Sequence, residues 1–318
     1  MQCGRDGVPA YGFHSRANWR ARWRTGSVRV WSAAMAASHS VCGLSWSRAS
    51  GSDSGPHAPL AVGVSTAGRP TPSPSDRYLR TLAAKNWIEH RRQWLYDEFP
   101  DSAFSLGPII LPTKRYFPDP FDGSDRAVGA LLYRVCRYME VDPDRVELEF
   151  DSDPSNLWLV NDSGKPLPSR VAGTYQEKDG TYHITIHRAD IPNPMDLVGT
   201  FAHELSHAKL MGEGRVTGDD FDNEILTDLT TVHFGLGIFL ANSPRAWDST
   251  FTKWPGTNLA KPEYMTAPMF AYALAHLAWF REEPRPPWAK FLCWDTQPDF
   301  KRALRYLLKT GHSSFKPA

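Results

Sequence analysis

The five residues His203-Glu204-Leu205-Ser206-His207 are the part of the sequence best suited to chemistry. On a helix, two histidines four positions apart lie one above the other on a single face. Two imidazoles in that arrangement can chelate one Zn²⁺, with bonds of about 2.0–2.1 Å. Glu204 follows the first histidine directly, so its carboxylate lies beside the metal and can take a proton from a metal-bound water. The pattern therefore predicts a metal site with its own general base.

The residues around this motif favour a metal site over an amphipathic helix that carries two surface histidines. Apolar side chains occur on more than one side of the helix, at Leu197, Val198, Phe201, Ala202, Leu205 and Ala208. Histidines and a glutamate buried among them would be costly unless they were paired or bound to a metal. Asn193 and Pro194 fit the start of such a helix, and Gly212 fits its end.

A second polar pattern, NEILTD at residues 223–228, predicts the third ligand. A catalytic zinc uses three protein ligands and leaves one position open for water. Glu224 is the predicted third ligand. Asp228 lies four residues later on the same helix face, and we expect it to accept a hydrogen bond from a ligand histidine. The alternative is a solvated acidic helix start, and we interpret the preceding acids as surface residues: Asp219, Asp220 and Asp222.

The two motifs in this order resemble the gluzincin clan of zinc metallopeptidases, of which thermolysin is the familiar example. The resemblance covers residues 203–237. It implies that His203, His207 and Glu224 bind one zinc ion, that Glu204 is the general base, and that Asp228 orients a ligand histidine. It also implies a zincin-like cleft between the metal helix and an edge strand, a place that the strand predicted at 181–188 would take. More loosely, the chain resembles uncharacterised bacterial proteins with the same motif pair.

The sequence departs from the clan in two ways. The clan uses a downstream histidine or tyrosine to stabilise the developing oxyanion, and no motif identifies that residue here. Tyr272 and His276 lie four apart on a later predicted helix and are our candidates, with Tyr264 and His233 as further options. The alternative for each is an ordinary core residue. The substrate-binding pattern Asn-Ala-x-Phe/Tyr is also missing before the metal helix, so the substrate preference stays open.

The predicted fold is α+β, with a small mixed sheet and its edge strand followed by a mainly helical lobe that carries the metal helix. Val146, Leu148 and Phe150 alternate with glutamates, which predicts a half-buried strand. Strands at 171–176 and 181–188 flank Asp179-Gly180, a strong hairpin signal. Helices are predicted at 76–96, 124–139, 193–212, 221–240, 268–282 and 298–309. His183 and His187 share one strand face, and we interpret them as solvent-facing rather than as a second metal site.

Composition divides the chain into a tail, residues 1–74, and a domain, residues 75–318, with lobes at 75–192 and 193–318. The first 74 residues contain two acids, Asp6 and Asp53, and no lysine. They predict a disordered or low-complexity segment. Three alternatives are an organelle transit peptide, a polyanion-binding segment built from arginines and tryptophans between 16 and 31, and a translation start at Met35.

The remaining bulk properties describe an ordinary soluble protein. The formal net charge is +1, from 36 basic and 35 acidic residues, which favours neither nucleic acid nor an anionic membrane. The four cysteines are scattered, so they predict neither a disulfide framework nor a cysteine zinc site. No apolar run reaches the roughly 18 residues that a membrane span requires. We therefore expect a cytoplasmic protein.

The motif pair predicts a zinc metallopeptidase that acts on a peptide or protein substrate. A non-catalytic zinc-binding sensor or interaction protein is the alternative from another class, since a site of this kind can be kept for structure or regulation. A helical domain with a chance motif is the third interpretation. Neither the substrate nor the oligomeric state can be predicted from the sequence.

Overall fold

The computed structural model of the chain describes residues 74–100, 107–151, 158–160, 166–168, 173–243 and 253–316. These residues form a small three-stranded sheet and a mainly helical remainder, so the predicted mixture of helix and strand is confirmed. The tail predicted at 1–74 lies outside the described residues, apart from Pro74 at the start of the first helix. None of the helices in the described ranges combines the length and the apolar character that crossing a membrane requires.

The sheet combines parallel and antiparallel pairing. The strands are β1 Val146–Asp151, β2 Trp158–Val160, β3 Pro166–Pro168, β4 Gly173–Lys178 and β5 Thr181–His187. β1, β5 and β4 form the main sheet in that order, while β2 pairs with β3 alone. β4 and β5 are antiparallel and joined by Asp179 and Gly180, whose φ angles are 53° and 78°. Two positive φ values are what a type I′ turn needs, and the predicted hairpin is confirmed.

The prediction of residues 181–188 as the edge strand was wrong. β5 is the central strand, paired in parallel with β1 and antiparallel with β4. Among the described strands, β4 therefore lies at the edge of the sheet on the side of the helix with the predicted metal ligands. Alternation of apolar and polar residues shows which face of a strand is buried, but it does not show how many neighbours the strand has.

Seven α-helices are described: α1 Pro74–Glu98, α2 Asp125–Tyr138, α3 Pro194–His207, α4 Asn223–His233, α5 Gly237–Asn242, α6 Ala267–Phe280 and α7 Thr296–Thr310. A π-helical turn, Ala208–Gly212, continues α3 to the predicted stop. Short 3₁₀ turns occur at Pro143–Arg145, Arg188–Asp190 and Pro287–Phe291.

The single helix predicted at 221–240 is in fact two helices, α4 and α5. Between them, Gly235 has a φ of 82°, a conformation that other residues rarely adopt. A Cβ at this position would lie only 2.7 Å from the carbonyl oxygen of Pro108. Gly235 also accepts a backbone hydrogen bond of 2.9 Å from Ile110. The close crossing of these two segments therefore ends α4, and the apolar pattern, which runs through the break, could not reveal it.

The metal helix predicted from the sequence, α3, lies at the centre of the core. Its residues from Leu197 to His207 are all buried. It contacts the sheet through β4 and the helical part through α2, α4 and α5. The buried side chains of β5, which are Tyr182, Ile184 and Ile186, belong to the same core. The polar motif on α3 is thus surrounded by packed secondary structure, which leaves its side chains little freedom to move.

Candidate metal centre

Two histidine rings and one carboxylate converge where α3 meets α4. His203 Nε2 lies 3.2 Å from Glu224 Oε2, and His207 Nε2 lies 3.6 Å from the same oxygen. The two rings are nearly perpendicular, and their centroids are 4.9 Å apart. One ligand atom from each of the three residues lies within 4.8 Å of the other two, so the group could hold a metal ion.

The separations suit tetrahedral coordination. Two donor atoms bound to a tetrahedral ion at about 2.05 Å are about 3.3 Å apart. The distances of 3.2 and 3.6 Å are close to that value. Burial raises the pKa of Glu224, but the charge and hydrogen bonds of the two imidazoles outweigh burial and hold this pKa well below its usual value. Glu224 is therefore a carboxylate at neutral pH, the form that a metal ligand needs.

Asp228 determines which nitrogen of His203 faces Glu224. Its Oδ1 lies 2.9 Å from His203 Nδ1, and its Oδ2 accepts a hydrogen bond of 2.8 Å from the backbone N–H of Met265. Since a carboxylate only accepts hydrogen bonds, Nδ1 carries a ring proton. A neutral ring with its proton fixed on Nδ1 would offer the lone pair of Nε2 to a metal ion beside Glu224. Asp228 thus makes the contact with a ligand histidine that its spacing on α4 predicts.

Thr227 has a corresponding role for His207, one that the sequence did not lead us to assign. Its hydroxyl donates to the carbonyl of Asn223 at 2.9 Å, and its oxygen lies 3.3 Å from His207 Nδ1. A hydroxyl that donates in one direction can accept from Nδ1–H in the other. The ring of His207 also stacks on Tyr175 of β4, with centroids 5.8 Å apart. The sequence signal for this contact is that Thr227 lies next to Asp228, four residues after Asn223.

Glu204 is buried beside His203, and its Oε1 has no hydrogen-bond partner in the part of the chain that the structure describes. A buried carboxyl oxygen without a partner is costly, so this atom is suited to receive a water or a substrate group. The edge strand comes very close to it. A Cβ at Gly173 would lie 3.2 Å from Glu204 Oε1 and 2.7 Å from Thr200 Cγ2. Glycine at this position therefore allows β4 to pack directly over the candidate base.

Asp222 is not a surface acid, as the sequence suggested, but a fully buried anchor at the start of α4. Its Oδ2 accepts hydrogen bonds of 2.7 Å from Trp87 Nε1 and from Arg91 Nε, and its Oδ1 accepts one of 2.7 Å from Arg91 Nη2. Bidentate pairs of this kind are strong and geometrically specific. Since Glu224 follows two residues later, this contact with α1 fixes the helix that presents the predicted third ligand. The composition of the loop gave no indication of this, because the partners lie more than 100 residues away in sequence.

The structure does not bring Tyr272 and His276, the predicted oxyanion stabilisers, to the cluster. Tyr272 donates to Glu89 Oε1 at 2.6 Å, and His276 Nε2 lies 3.0 Å from Ser313 Oγ. Glu89 Oε2 also accepts from the backbone N–H and the hydroxyl of Ser314. The two α6 residues therefore face α1 and the C-terminal residues. Helical spacing predicts correctly that they share a side, but not which neighbour that side meets.

The two other candidates also lie in different surroundings. Tyr264 is buried, and its ring centroid lies 5.9 Å from that of His203, so it borders the cluster. His233 packs against Phe99 and Phe234. It is nine residues beyond Glu224, or about 13 Å along α4. Burial lowers the pKa of His233 well below its usual value, with a further contribution from Arg92, so the ring is neutral.

Comparisons of the chain with protein-family models, curated proteins and solved structures found no match. What the site can do therefore follows from its own geometry. Donor atoms of three residues lie within 4.8 Å of one another, the two histidine rings are oriented by Asp228 and Thr227, and a buried carboxyl oxygen of Glu204 lies alongside without a described partner. These features suit a divalent metal ion together with proton transfer at Glu204.

Proposed function

We propose that this protein is a zinc-dependent metallopeptidase with a zincin-like site, in which His203, His207 and Glu224 hold one zinc ion. The observation that carries this proposal is the convergence of both Nε2 atoms on Glu224 Oε2. Two imidazoles and one carboxylate are a ligand set of catalytic zinc, which keeps one further position for water or substrate. A zinc ion held there supplies a Lewis acid that polarises a carbonyl group and makes water acidic near neutral pH.

Glu204 is the proposed general base. It follows His203 on α3, so it lies beside the ligands without being one of them. Its Oε1, which has no described hydrogen-bond partner, accepts a proton from the attacking water and then returns it to the leaving amine. Burial of the side chain limits the orientations that the carboxyl group can adopt, so the proton acceptor is held in place before the substrate binds.

The edge strand β4 supports a peptide substrate in particular. An extended peptide can add to an exposed sheet edge through backbone hydrogen bonds. β4 is one of the two outer strands of the described three-stranded sheet, and it passes the site with Gly173 against Glu204 and Tyr175 against His207. A peptide aligned along β4 would therefore bring its carbonyl groups past the metal ligands and the base. Backbone hydrogen bonds would supply most of the binding between β4 and the substrate, so peptides of many sequences could bind there.

The test is the Glu204→Gln variant of the full chain, compared with Glu213→Gln as a control. Glu213 is an exposed acid just beyond the π-helical turn, where it pairs with Lys209. Both variants and the wild type are measured for bound zinc by elemental analysis and for cleavage of a complex peptide mixture by mass spectrometry. We expect all three proteins to bind the same amount of zinc, including one equivalent at the cluster. Cleavage should be lost by at least about 100-fold in Glu204→Gln alone.

Cleavage that survives in Glu204→Gln would exclude this residue as the base. A wild-type protein that retains zinc but cleaves no peptide in the mixture would favour the alternative of a non-catalytic zinc-binding protein. If purified protein from zinc-replete cells lacks the metal, and neither His203→Ala nor His207→Ala changes zinc binding in titration, the metal centre itself is refuted.

A further inference from the structure

The outward face of the three-stranded sheet carries a second group of metal-binding side chains. Glu147 and Glu149 lie two residues apart on β1, and His183 on β5 is the register partner of Glu147. The neighbours of His183 along β5, Tyr182 and Ile184, are buried in the core. Since side chains alternate along a strand, His183 and both glutamates point to the opposite face.

The geometry of this group resembles that of the first cluster. His183 Nδ1 lies 3.3 Å from Glu147 Oε2 and 3.3 Å from Glu149 Oε1. One donor atom from each residue lies within 4.8 Å of the other two. Donor atoms bound to one tetrahedral ion are about 3.3 Å apart, so both distances to the imidazole fit a shared metal.

An ion pair alone accounts poorly for this arrangement. A single imidazole nitrogen carries at most one proton, so it cannot make two good hydrogen bonds in different directions. Both distances of 3.3 Å also exceed the roughly 2.7–2.9 Å of charge-assisted hydrogen bonds. Two carboxylates brought this close repel each other. A divalent cation satisfies all three donor atoms and neutralises the repulsion.

We propose that Glu147, Glu149 and His183 bind a second divalent transition-metal ion, independent of the centre on α3 and α4. One imidazole nitrogen with two carboxylate oxygens suits zinc, manganese or iron(II) better than calcium, which prefers oxygen ligands alone. The side chains are 47%, 27% and 20% exposed, in the order Glu147, Glu149 and His183. Water can therefore complete the coordination, and the ion can exchange with solvent.

The bound ion would join β1 to β5 on the side of the sheet opposite the core. β1 and β5 run parallel, so no short hairpin connects them. Their pairing therefore depends on contacts between segments that are distant in sequence. β5 in turn pairs with β4, which borders Glu204. The second ion therefore stabilises the sheet that supports the edge strand, without taking part in the proposed hydrolysis.

The test is titration of the metal-stripped full-length chain with Zn²⁺ and, separately, Mn²⁺, followed by calorimetry. Wild type should bind two equivalents of zinc. Glu149→Gln and His183→Gln should each lose one equivalent or bind it at least about tenfold more weakly. His187→Gln is the matched control, since His187 is four residues further on the same strand face, and it should bind two equivalents. Circular dichroism at the start of each titration verifies folding.

His203→Ala separates the two centres, because it should remove the first equivalent and leave the one that depends on Glu149. Binding of a second equivalent that neither Glu149→Gln nor His183→Gln weakens would overturn the proposal, as would wild-type binding of a single equivalent that only His203→Ala removes. If wild type binds one equivalent that Glu149→Gln removes and His203→Ala does not, the sheet site stands and the α3–α4 centre fails.

Discussion

The imidazole of His203 donates from Nδ1 to Asp228 at 2.9 Å, which directs its Nε2 towards Glu224. Asp228 is itself held by the backbone N–H of Met265, in the segment that precedes α6. The orientation of the His203 ring therefore depends on contacts from two other parts of the chain. Metal ligands generally need such outer contacts to keep their tautomer and direction.

Replacement of Asp228 by Asn should weaken zinc binding by about 10- to 100-fold, because the amide no longer favours a proton on His203 Nδ1. Competition with a chromogenic chelator measures this affinity. Asp219→Asn, at an exposed position in the loop before α4, is the control and should leave affinity unchanged. An Asp228→Asn protein that binds zinc as tightly as wild type would show that the hydrogen bond does not orient the ligand.

Arg91→Ala should lower the free energy of unfolding by about 3 kcal/mol or more, since it leaves buried Asp222 without its cationic partner. Urea unfolding monitored by tryptophan fluorescence gives the value. On the same helix, His90→Ala removes an exposed side chain and should change stability by less than about 0.5 kcal/mol. Equal effects of the two substitutions would mean that the pair with Asp222 contributes nothing specific.

Gly173→Ala should reduce peptide cleavage while zinc stays bound. The added methyl group would lie 2.7 Å from Thr200 Cγ2 and 3.2 Å from Glu204 Oε1, so β4 or Glu204 must shift. A shift of this size in a catalytic group can lower the rate by about 100-fold. Gly218→Ala is the control, because the nearest atom to its Cβ would be 3.9 Å away. Unchanged cleavage in Gly173→Ala would argue against a role for this close approach.

Stability should decrease as the pH falls below about 6.5, the ordinary pKa of histidine. Burial, together with Arg92, lowers the pKa of His276 to about 3. Between pH 6.5 and 3 the unfolded chain therefore binds a proton at this residue that the folded chain does not. The result is a loss of about 1.4 kcal/mol per pH unit for each such histidine.

The measurement for this prediction is urea unfolding between pH 7 and pH 4.5, in wild type and in His276→Gln. The variant has no titrating group at position 276. Its free energy of unfolding should therefore depend less steeply on pH, and the two slopes should differ by about 1.4 kcal/mol per pH unit. His233 titrates in the same direction and remains in both proteins, so a residual slope is expected. Identical slopes in the two proteins would contradict the lowered pKa of His276.

Much of the candidate site could be predicted because it depends on spacing within single helices. Residues four apart share a helix face, so the sequence indicated the pairs His203 with His207 and Glu224 with Asp228. The structure places the first pair and Glu224 in one group and hydrogen-bonds Asp228 to His203. No local pattern states which faces of different helices will meet, and that is why the directions of Tyr272 and His276 were missed.

Pairing between distant segments limited the prediction of the fold in the same way. Alternation located β1, and the Asp179-Gly180 turn located the hairpin of β4 and β5, since these signals are local. The parallel pairing of β1 with β5 has no such local signal. The central position of β5 and the contact between His183 and Glu147 could therefore not be predicted from the sequence. Asp222 also looked like a surface acid because Trp87 and Arg91, its partners, are remote in sequence.

The contacts of Glu89 determine how early during translation the helix α1 can finish packing. This buried carboxylate on α1 is held by Tyr272 and by the backbone and hydroxyl of Ser314. Burial raises the pKa of Glu89, but these hydrogen bonds and Lys85 lower it to about 2, so the group is charged and needs its partners. Until residue 314 has left the ribosome, α1 cannot complete its packing. The helix that anchors Asp222 is thus translated well before it is secured, so the predicted metal ligands reach their final positions only after the segment around Ser314 has emerged.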